Sequence, residues 1–325
     1  MGQRLKSRLS ISGGFRIIDL AITYSCNLHC KHCSASVLES ERAPLGLEEY
    51  KKITCQAKSF DNLSYNITGG EPLMVEWLDD LIPVLDPARH FISIQTNCML
   101  LSAKRAKQLA RLGVNCITTS LDSADEKEHN HFRGSSDSYR KVLEGLDNAI
   151  KAGMSVLVGG TVTHQNLRSA ELQRLIEKVN SLGAIFLFNI GVPCGEWKDN
   201  RDMLFRDDDR DYLLKLMETY PMTSTDHEIN RHTVGCPAGK EKVYITSYGD
   251  VLPCPFIHVS FGNVRTMPLA EIIARMNKIS LFGKYANICV AAEDRDFQKN
   301  VLSRVGSVSE PNRAPISYKD VYGEL

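Results

Sequence analysis

The chain has 325 residues, of which 43% are hydrophobic and 24% charged, a composition that supports a packed core and excludes wholesale disorder. Its 39 Lys and Arg residues balance 39 Asp and Glu residues, so net charge gives no general attraction to nucleic acid or to an anionic membrane. The longest apolar runs, such as Ile185–Phe188, are too short to span a bilayer, and the basic N-terminus lacks the apolar stretch of a secretory signal. We therefore expect a cytoplasmic protein with no membrane or nucleic-acid partner.

Strand-like and helix-like segments alternate through the first part of the chain. This alternation predicts an α/β fold whose strands form a parallel sheet with right-handed crossovers. Six strands are predicted, at residues 15–25, 63–68, 91–95, 115–119, 155–161 and 184–190. The intervening helices are predicted at residues 47–60, 75–85, 102–112, 138–152 and 168–182.

The composition changes at residues 192–206, which are polar and poor in strand-forming residues. A smaller α+β module follows, in which the turn signal Tyr248-Gly249-Asp250 predicts a hairpin. Its predicted elements are a helix at 207–220, a loop at 222–233, hairpin strands at 242–247 and 251–255, and a helix at 269–276. Residues 305–325 are predicted to form a tail that is packed on the surface or partly disordered.

Three cysteines follow the first predicted strand in a C-x3-C-x2-C spacing, at Cys26, Cys30 and Cys33. Three thiolates on one tight loop can hold three irons of a cubane 4Fe–4S cluster and leave the fourth iron open to a small ligand. The alternative is a structural zinc site completed by His29 or His32, but both histidines would crowd the same short loop.

This cysteine loop resembles the signature of the radical S-adenosylmethionine (radical SAM) superfamily. Three further motifs resemble that family, each at the end of a successive predicted strand: Gly69-Gly70-Glu71-Pro72, Thr96-Asn97 and Ser120-Leu121-Asp122. A fourth, His129–Gly134, has Asn130 where the family commonly has Asp. Their order matters more than any single match, because parallel α/β folds gather their chemistry at the carboxyl ends of strands.

The resemblance implies a partial (β/α)6 barrel and an enzyme that reductively cleaves SAM to a 5′-deoxyadenosyl radical, which abstracts a hydrogen atom from a substrate. It also implies an electron donor such as a flavodoxin or ferredoxin. Residues matching SAM contacts of the family are His32, Gly69, Gly70, Glu71, Pro72, Asn97, Ser120, Asp122 and Arg133.

Three cysteines of the C-terminal module resemble the auxiliary-cluster ligands of SPASM and twitch extensions. Cys236, Gly249 and Cys254 follow a C-x12-G-x4-C spacing, and Cys289 comes later in the chain. The remaining SPASM cysteines are absent from the sequence, so the resemblance implies a twitch-like module with one auxiliary 4Fe–4S cluster; a zinc-ribbon-like knuckle is the alternative. Cys194 is interpreted as a fourth cluster ligand, a hydrogen-atom donor in catalysis or a buried thiol.

The predicted organisation is an N-terminal extension (1–15), a radical SAM barrel (16–206), an auxiliary-cluster module (207–304) and the tail (305–325). Because a full SPASM module and a peptide-recognition domain are both missing, we expect a small-molecule substrate such as a sugar, cyclitol, nucleotide or cofactor precursor. The alternatives are a maturase of a ribosomally made peptide, forming C–C or C–S bonds or epimerising residues, and a non-catalytic iron–sulfur or zinc scaffold.

Overall fold

Nine strands form one curved sheet in the computed structural model, which describes residues 15–58, 60, 63–225, 235–283, 286, 288–305 and 315–324. The strands are β1 Ile17–Thr23, β2 Ser64–Gly69, β3 Phe91–Gln95, β4 Cys116–Ser120, β5 Ser155–Val162, β6 Ile185–Ile190, β7 Thr223–Thr225, β8 Lys242–Ile245 and β9 Val251–Leu252. Their order is β7-β6-β5-β4-β3-β2-β1-β8-β9, and every pair is parallel except the β8–β9 hairpin. The first six strands are the six that the sequence predicts.

Helices separate successive strands from β1 to β7 and cover the outside of the sheet. The helix after β3 begins at Ser102, whose side chain accepts a hydrogen bond from the Arg105 N–H, and ends at Gly113 in the left-handed region, as the sequence predicts. The helices are α1 Leu47–Ala57, α2 Leu78–Val84, α3 Ala103–Leu112, α4 Glu126–Arg133, α5 Ser138–Lys151, α6 Ala170–Ser181, α7 Asp209–Thr219, α8 Leu269–Asn277, α9 Ser280–Gly283, α10 Val290–Glu293, α11 Arg295–Asn300 and α12 Tyr318–Tyr322.

The sheet extends beyond the six predicted strands at both edges. β7 adds to β6 with Phe186 paired to Thr223, so the predicted loop at 222–233 is wrong for residues 223–225, and residues 226–233 lie outside the described residues. The open edge of β6 provides backbone partners for this short Thr-Ser-Thr segment. At the other edge, β8 of the C-terminal module pairs with β1, so the barrel and the module share one sheet.

The last described segment packs against the C-terminal module. Strand β11 (Ile316–Ser317) pairs with β10 (Val259–Ser260), and the Tyr318 ring stacks on Phe261 with their centroids 5.6 Å apart. Residues 315–324 are therefore a packed tail, while residues 306–314 lie outside the described residues.

The two faces of the sheet have different chemistry. In β1, Ile18 and Leu20 are buried in the apolar core, whereas Asp19 between them lines a cavity inside the barrel. The same cavity is lined by Asn66 and Ser93, which are register neighbours of Asp19 on β2 and β3. The core thus lies between sheet and helices, and the interior of the barrel is polar. In the described part of the chain, no helix combines the length and apolar character needed to cross a membrane.

Candidate active site

The cysteine loop after β1 is fixed by the loop after β2. The Gly70 N–H donates to the Thr23 carbonyl (2.7 Å), and the Glu71 N–H donates to the Ser25 carbonyl (2.9 Å). Gly69 has φ +124°, and a β-carbon there would fall 2.1 Å from the Thr23 carbonyl oxygen. The paired glycines are therefore required by close backbone packing against the cysteine loop.

The three N-terminal cysteines lie close together on the cavity wall. Burial raises the pKa of the Cys26 thiol, and the neighbouring Cys30 and Cys33 sulfurs raise it further, so the sulfurs are within electrostatic reach of one another. Thiolates gathered on one loop suit an iron–sulfur cluster, whose iron supplies positive charge.

Glu71 is enclosed by the protein and has no exposed surface. Its carboxylate accepts hydrogen bonds from the Leu73 N–H (2.9 Å), the Thr96 hydroxyl (2.7 Å) and the Asn97 N–H (2.8 Å). Burial raises the pKa of this carboxyl above its usual range, and the three hydrogen bonds oppose that rise. Glu71 therefore ties the ends of β2 and β3 together and fixes the position of Asn97.

Arg133 at the end of α4 joins the cysteine loop to the end of β4. Its Nε donates to Asp122 Oδ2 (2.6 Å), and its Nη1 lies 3.6 Å from Cys30 Sγ. Burial alone would raise the pKa of Asp122, but the Arg133 guanidinium outweighs it and holds that pKa below its usual range. Asp122 also accepts from the Thr161 hydroxyl (3.3 Å), so the ion pair is fixed to β5 as well.

An aromatic group stands beside the cysteine loop. The His32 ring stacks on Phe132 with centroids 4.6 Å apart, and the Trp197 ring lies 5.6 Å from His32. Burial, with a smaller contribution from Arg133, lowers the pKa of His32 to about 4, so this ring is neutral at pH 7. Trp197 is brought here by Gly195, where a β-carbon would fall 2.2 Å from the Cys33 carbonyl oxygen.

The structure brings most of the predicted SAM-binding residues to the cavity. Three of them, Glu71, Pro72 and Asp122, do not line it. Those that line it are His32, Gly69, Gly70, Asn97, Ser120 and Arg133.

The three C-terminal cysteines also come together. Burial raises the pKa of Cys289 well above its usual range, and Cys236 and Cys254 both raise it further, so the three sulfurs are electrostatic neighbours. The Cys289 N–H donates to the Glu293 carboxylate (2.7 Å), which fixes the start of α10. Cys194 is buried, lines the cavity and has Cys254 and Cys33 as electrostatic neighbours, so it stands between the two trios.

Among the described residues, no group of three His, Cys, Asp or Glu side chains is packed closely enough to bind a single metal ion.

A row of polar side chains crosses the inside of the barrel. Lys242 Nζ lies 3.1 Å from Asp19 Oδ2, Asn66 Nδ2 donates to Asp19 Oδ1 (2.7 Å), and the Ser93 hydroxyl donates to Asn66 Oδ1 (2.6 Å). These four residues line the same cavity as the N-terminal cysteines. Its volume of about 2730 Å³ exceeds the roughly 300–1,000 Å³ typical of small-ligand sites, so it has room for a substrate as well as SAM.

Sequence reasoning missed this polar row and the aromatic group. Asp19 interrupts the largely apolar strand β1, and Asn66 stands between the buried Tyr65 and Ile67 of β2, a period-of-two signal that could have marked the barrel interior. Trp197 and Gly195 carried no such signal, because their role depends on how the loop after β6 folds back on Cys33.

A parallel sheet with a cysteine trio at the carboxyl end of its first strand, joined to a second cysteine trio in a C-terminal module, defines an iron–sulfur enzyme that uses SAM. The family model of the Radical SAM superfamily matches residues 20–179, and that of the SPASM iron–sulfur cluster-binding domain matches residues 236–295. The chain belongs to the radical SAM superfamily and carries a SPASM-type module. Its cofactors are SAM, a SAM-binding 4Fe–4S cluster and an auxiliary 4Fe–4S cluster.

Known relatives include enzymes with different products. The AdoMet-dependent heme synthase of Methanosarcina barkeri is 25% identical over 294 residues, which cover 81% of this chain and 83% of that protein. The subtilosin biosynthesis protein AlbA of Bacillus subtilis is 27% identical over 265 residues, covering 75% of this chain and 56% of that protein. The crystal structure of Streptococcus suis SuiB bound to its precursor peptide SuiA aligns with a TM-score of 0.65 and 18% identity, over 86% of this chain and 68% of that one.

Proposed function

We propose that this enzyme abstracts a hydrogen atom from a small polar molecule held in the barrel, with Cys26, Cys30 and Cys33 holding the SAM-binding cluster. When bound and reduced, that cluster and SAM together supply a 5′-deoxyadenosyl radical. Gly69, Gly70, Asn97, Ser120, Arg133 and His32 would hold SAM, since they line the cavity beside the cysteines.

The observation that carries the substrate proposal is the polar row on the barrel wall. Asp19, Asn66 and Ser93 are register neighbours on three strands, linked by hydrogen bonds and facing the cavity. Side chains fixed in this way offer donors and acceptors at set positions, which suits a molecule bearing hydroxyl or amino groups. Similarity over most of both chains to an enzyme named for making heme, a small-molecule cofactor, also favours a small-molecule substrate.

The auxiliary cluster would be held by Cys236, Cys254 and Cys289 and would accept an electron from the substrate or anchor it. Cys194 suits a position at its open iron, because it faces Cys254 from the cavity side. A flavodoxin or ferredoxin would supply the electron for SAM cleavage. The domain limits given above and a cytoplasmic location stay predictions.

Two triple variants test the cluster assignments after anaerobic reconstitution. Replacing Cys26, Cys30 and Cys33 by Ala should remove about four irons per chain, one cubane's worth, and abolish 5′-deoxyadenosine release with SAM and dithionite. Replacing Cys236, Cys254 and Cys289 should remove about four irons but leave 5′-deoxyadenosine release intact. Unchanged iron content in either variant would refute the corresponding ligand set. A fully iron-loaded wild type that releases no 5′-deoxyadenosine would favour a scaffold.

Deuterium transfer tests the substrate class. Metabolites from cells grown in heavy water are separated into a low-mass fraction and a peptide fraction, and each is incubated with enzyme, SAM and dithionite. Deuterium in 5′-deoxyadenosine with the low-mass fraction alone supports the proposal. Asn66→Ala should lower this transfer at least tenfold while 5′-deoxyadenosine release without substrate persists.

Peptide maturation is the second candidate, and the similarity to AlbA favours it. The large volume of the cavity also accommodates an extended segment of a peptide. Deuterium transfer from the peptide fraction alone would establish this function and overturn the small-molecule proposal.

A further inference from the structure

The lysine that opens β8 is held inside the fold. Lys242 Nζ lies 3.1 Å from Asp19 Oδ2, and only 12% and 7% of the two side chains are exposed. Both residues line the cavity, and Lys242 is the register neighbour of Ile17 on β1. A charge in this position acts on its neighbours more strongly than a surface charge does, because solvent and salt screen it less.

The same lysine lies near a cysteine of the auxiliary site. Lys242 begins β8, whose Tyr244 pairs with Leu252 of β9, and Cys254 follows two residues after Leu252, just past the end of that strand. The Gly239 N–H donates to the Lys242 carbonyl (2.9 Å) and to the carbonyl of the residue before Cys254 (3.1 Å), which holds these two positions together. Burial raises the pKa of Cys254 to about 12, and the Lys242 ammonium opposes that rise.

We propose that Lys242 raises the reduction potential of the auxiliary 4Fe–4S cluster and that Asp19 moderates this effect. The cluster takes up one electron on reduction and gains one negative charge, with no bond or proton transferred. A nearby cation stabilises the more negative, reduced form, and a nearby carboxylate disfavours it. The inference rests on the proposed ligation by Cys254.

This arrangement would connect the cavity with the auxiliary cluster. Asp19 belongs to the polar row proposed to bind substrate, and Lys242 joins that row to the hairpin bearing Cys254. A higher potential makes the oxidised cluster a better acceptor for one electron lost by a substrate radical in the cavity.

The test is a redox titration followed by electron paramagnetic resonance. It uses the full-length chain with Cys26, Cys30 and Cys33 replaced by Ala, in which the auxiliary cluster is the only proposed cluster, with dithionite and mediators as the reductant system. At a fixed potential, Lys242→Met should lower the ratio of reduced to oxidised cluster about tenfold, a shift of about 59 mV for a one-electron couple. Asp19→Asn should raise the ratio.

Two further variants separate charge from packing. Lys242→Arg keeps the cation, so the ratio of reduced to oxidised cluster should stay within about twofold of that in the background chain without Lys242 changes. Lys278→Met removes the same charge from an exposed position after α8 and should also leave the ratio unchanged, because solvent screens it.

The proposal is overturned if the ratio of reduced to oxidised cluster in Lys242→Met equals that in Lys278→Met. It is also overturned if Lys242→Met and Asp19→Asn shift this ratio in the same direction. If Lys242→Met does not assemble its cluster, Asp19→Asn decides, because it retains the lysine: a raised ratio supports the proposal and an unchanged one overturns it. A background chain that binds no iron and gives no cluster signal refutes the cysteine ligand set, and the inference falls with it.

Discussion

Gly70 lies so close to Ser25 that a β-carbon on the glycine would fall 2.2 Å from the Ser25 carbonyl oxygen. Backbone atoms cannot move aside as the end of a flexible side chain can. The contact therefore couples the loop after β2, where SAM is expected to bind, to the position of Cys26 immediately after Ser25.

Gly70→Ala should consequently disturb the N-terminal cluster site as well as stability. We expect a loss of about 1–3 kcal/mol in the free energy of unfolding, together with reduced iron at the N-terminal site. The measurements are denaturant unfolding and iron per chain. Gly153→Ala is the control for the added β-carbon: Gly153 has a positive φ (+87°), so alanine strains its backbone, but the β-carbon there meets no atom within 4 Å. Full iron occupancy in Gly70→Ala would contradict the coupling.

Glu71→Gln should destabilise the protein although it changes few atoms. The carboxylate accepts from two backbone N–H groups and the Thr96 hydroxyl, and a glutamine amide would direct N–H groups at these donors. We expect the free energy of unfolding to fall by about 2 kcal/mol. Thr96→Val should cost less in the Glu71→Gln background than in the wild type, and strictly additive losses would argue against a shared network.

The six central strands were predictable because apolar strands alternate with capped helices such as the one between Ser102 and Gly113. Helix α4 was missed because every residue of it except Phe132 is polar and His129 is its only buried residue. It forms between the Asp125 cap and Gly134, and tertiary contacts of Arg133 hold it.

The motif order predicted which residues gather at the end of the barrel, since the carboxyl ends of parallel strands converge. It did not predict what Glu71 binds, because a carboxylate in a turn can face a ligand or the backbone equally well. The Lys242–Asp19 pair was also unpredictable from local pattern, because it depends on β8 joining the edge of β1.

Trp197→Ala should weaken SAM binding if the aromatic group borders the cofactor. Trp197 lies 5.6 Å from His32 and 5.8 Å from Phe132, ring centroid to centroid, so its loss would remove a ring that packs against both. We expect the dissociation constant for SAM to rise about tenfold, which corresponds to about 1.4 kcal/mol. Titrating SAM against the signal of the reduced N-terminal cluster measures it. Trp197→Phe should recover most of the affinity, and equal affinities in all three proteins would exclude this role.

His129 should make stability depend on pH. Its side chain has no exposed surface, and its Nδ1 accepts a hydrogen bond from the Asp122 N–H (3.2 Å), which requires a neutral ring. Burial lowers its pKa to about 4 from the ordinary 6.5. Between these values the unfolded chain binds a proton that the folded chain does not. The contribution of His129 to the free energy of unfolding is therefore complete above pH 6.5 and declines as the pH falls toward 4.

Between pH 6.5 and 4, the contribution of His129 to the free energy of unfolding falls by about 3 kcal/mol in total. The slope reaches up to about 1.4 kcal/mol per pH unit. His129→Gln removes the titrating ring and keeps an acceptor for the Asp122 N–H, so its unfolding free energy should depend less steeply on pH between 6.5 and 5 than that of the wild type. Comparing slopes cancels the contributions of the clusters and of other groups. His131→Gln changes an exposed histidine on the same helix and should retain the wild-type slope. Identical slopes in all three proteins would show that His129 is not held neutral by the fold.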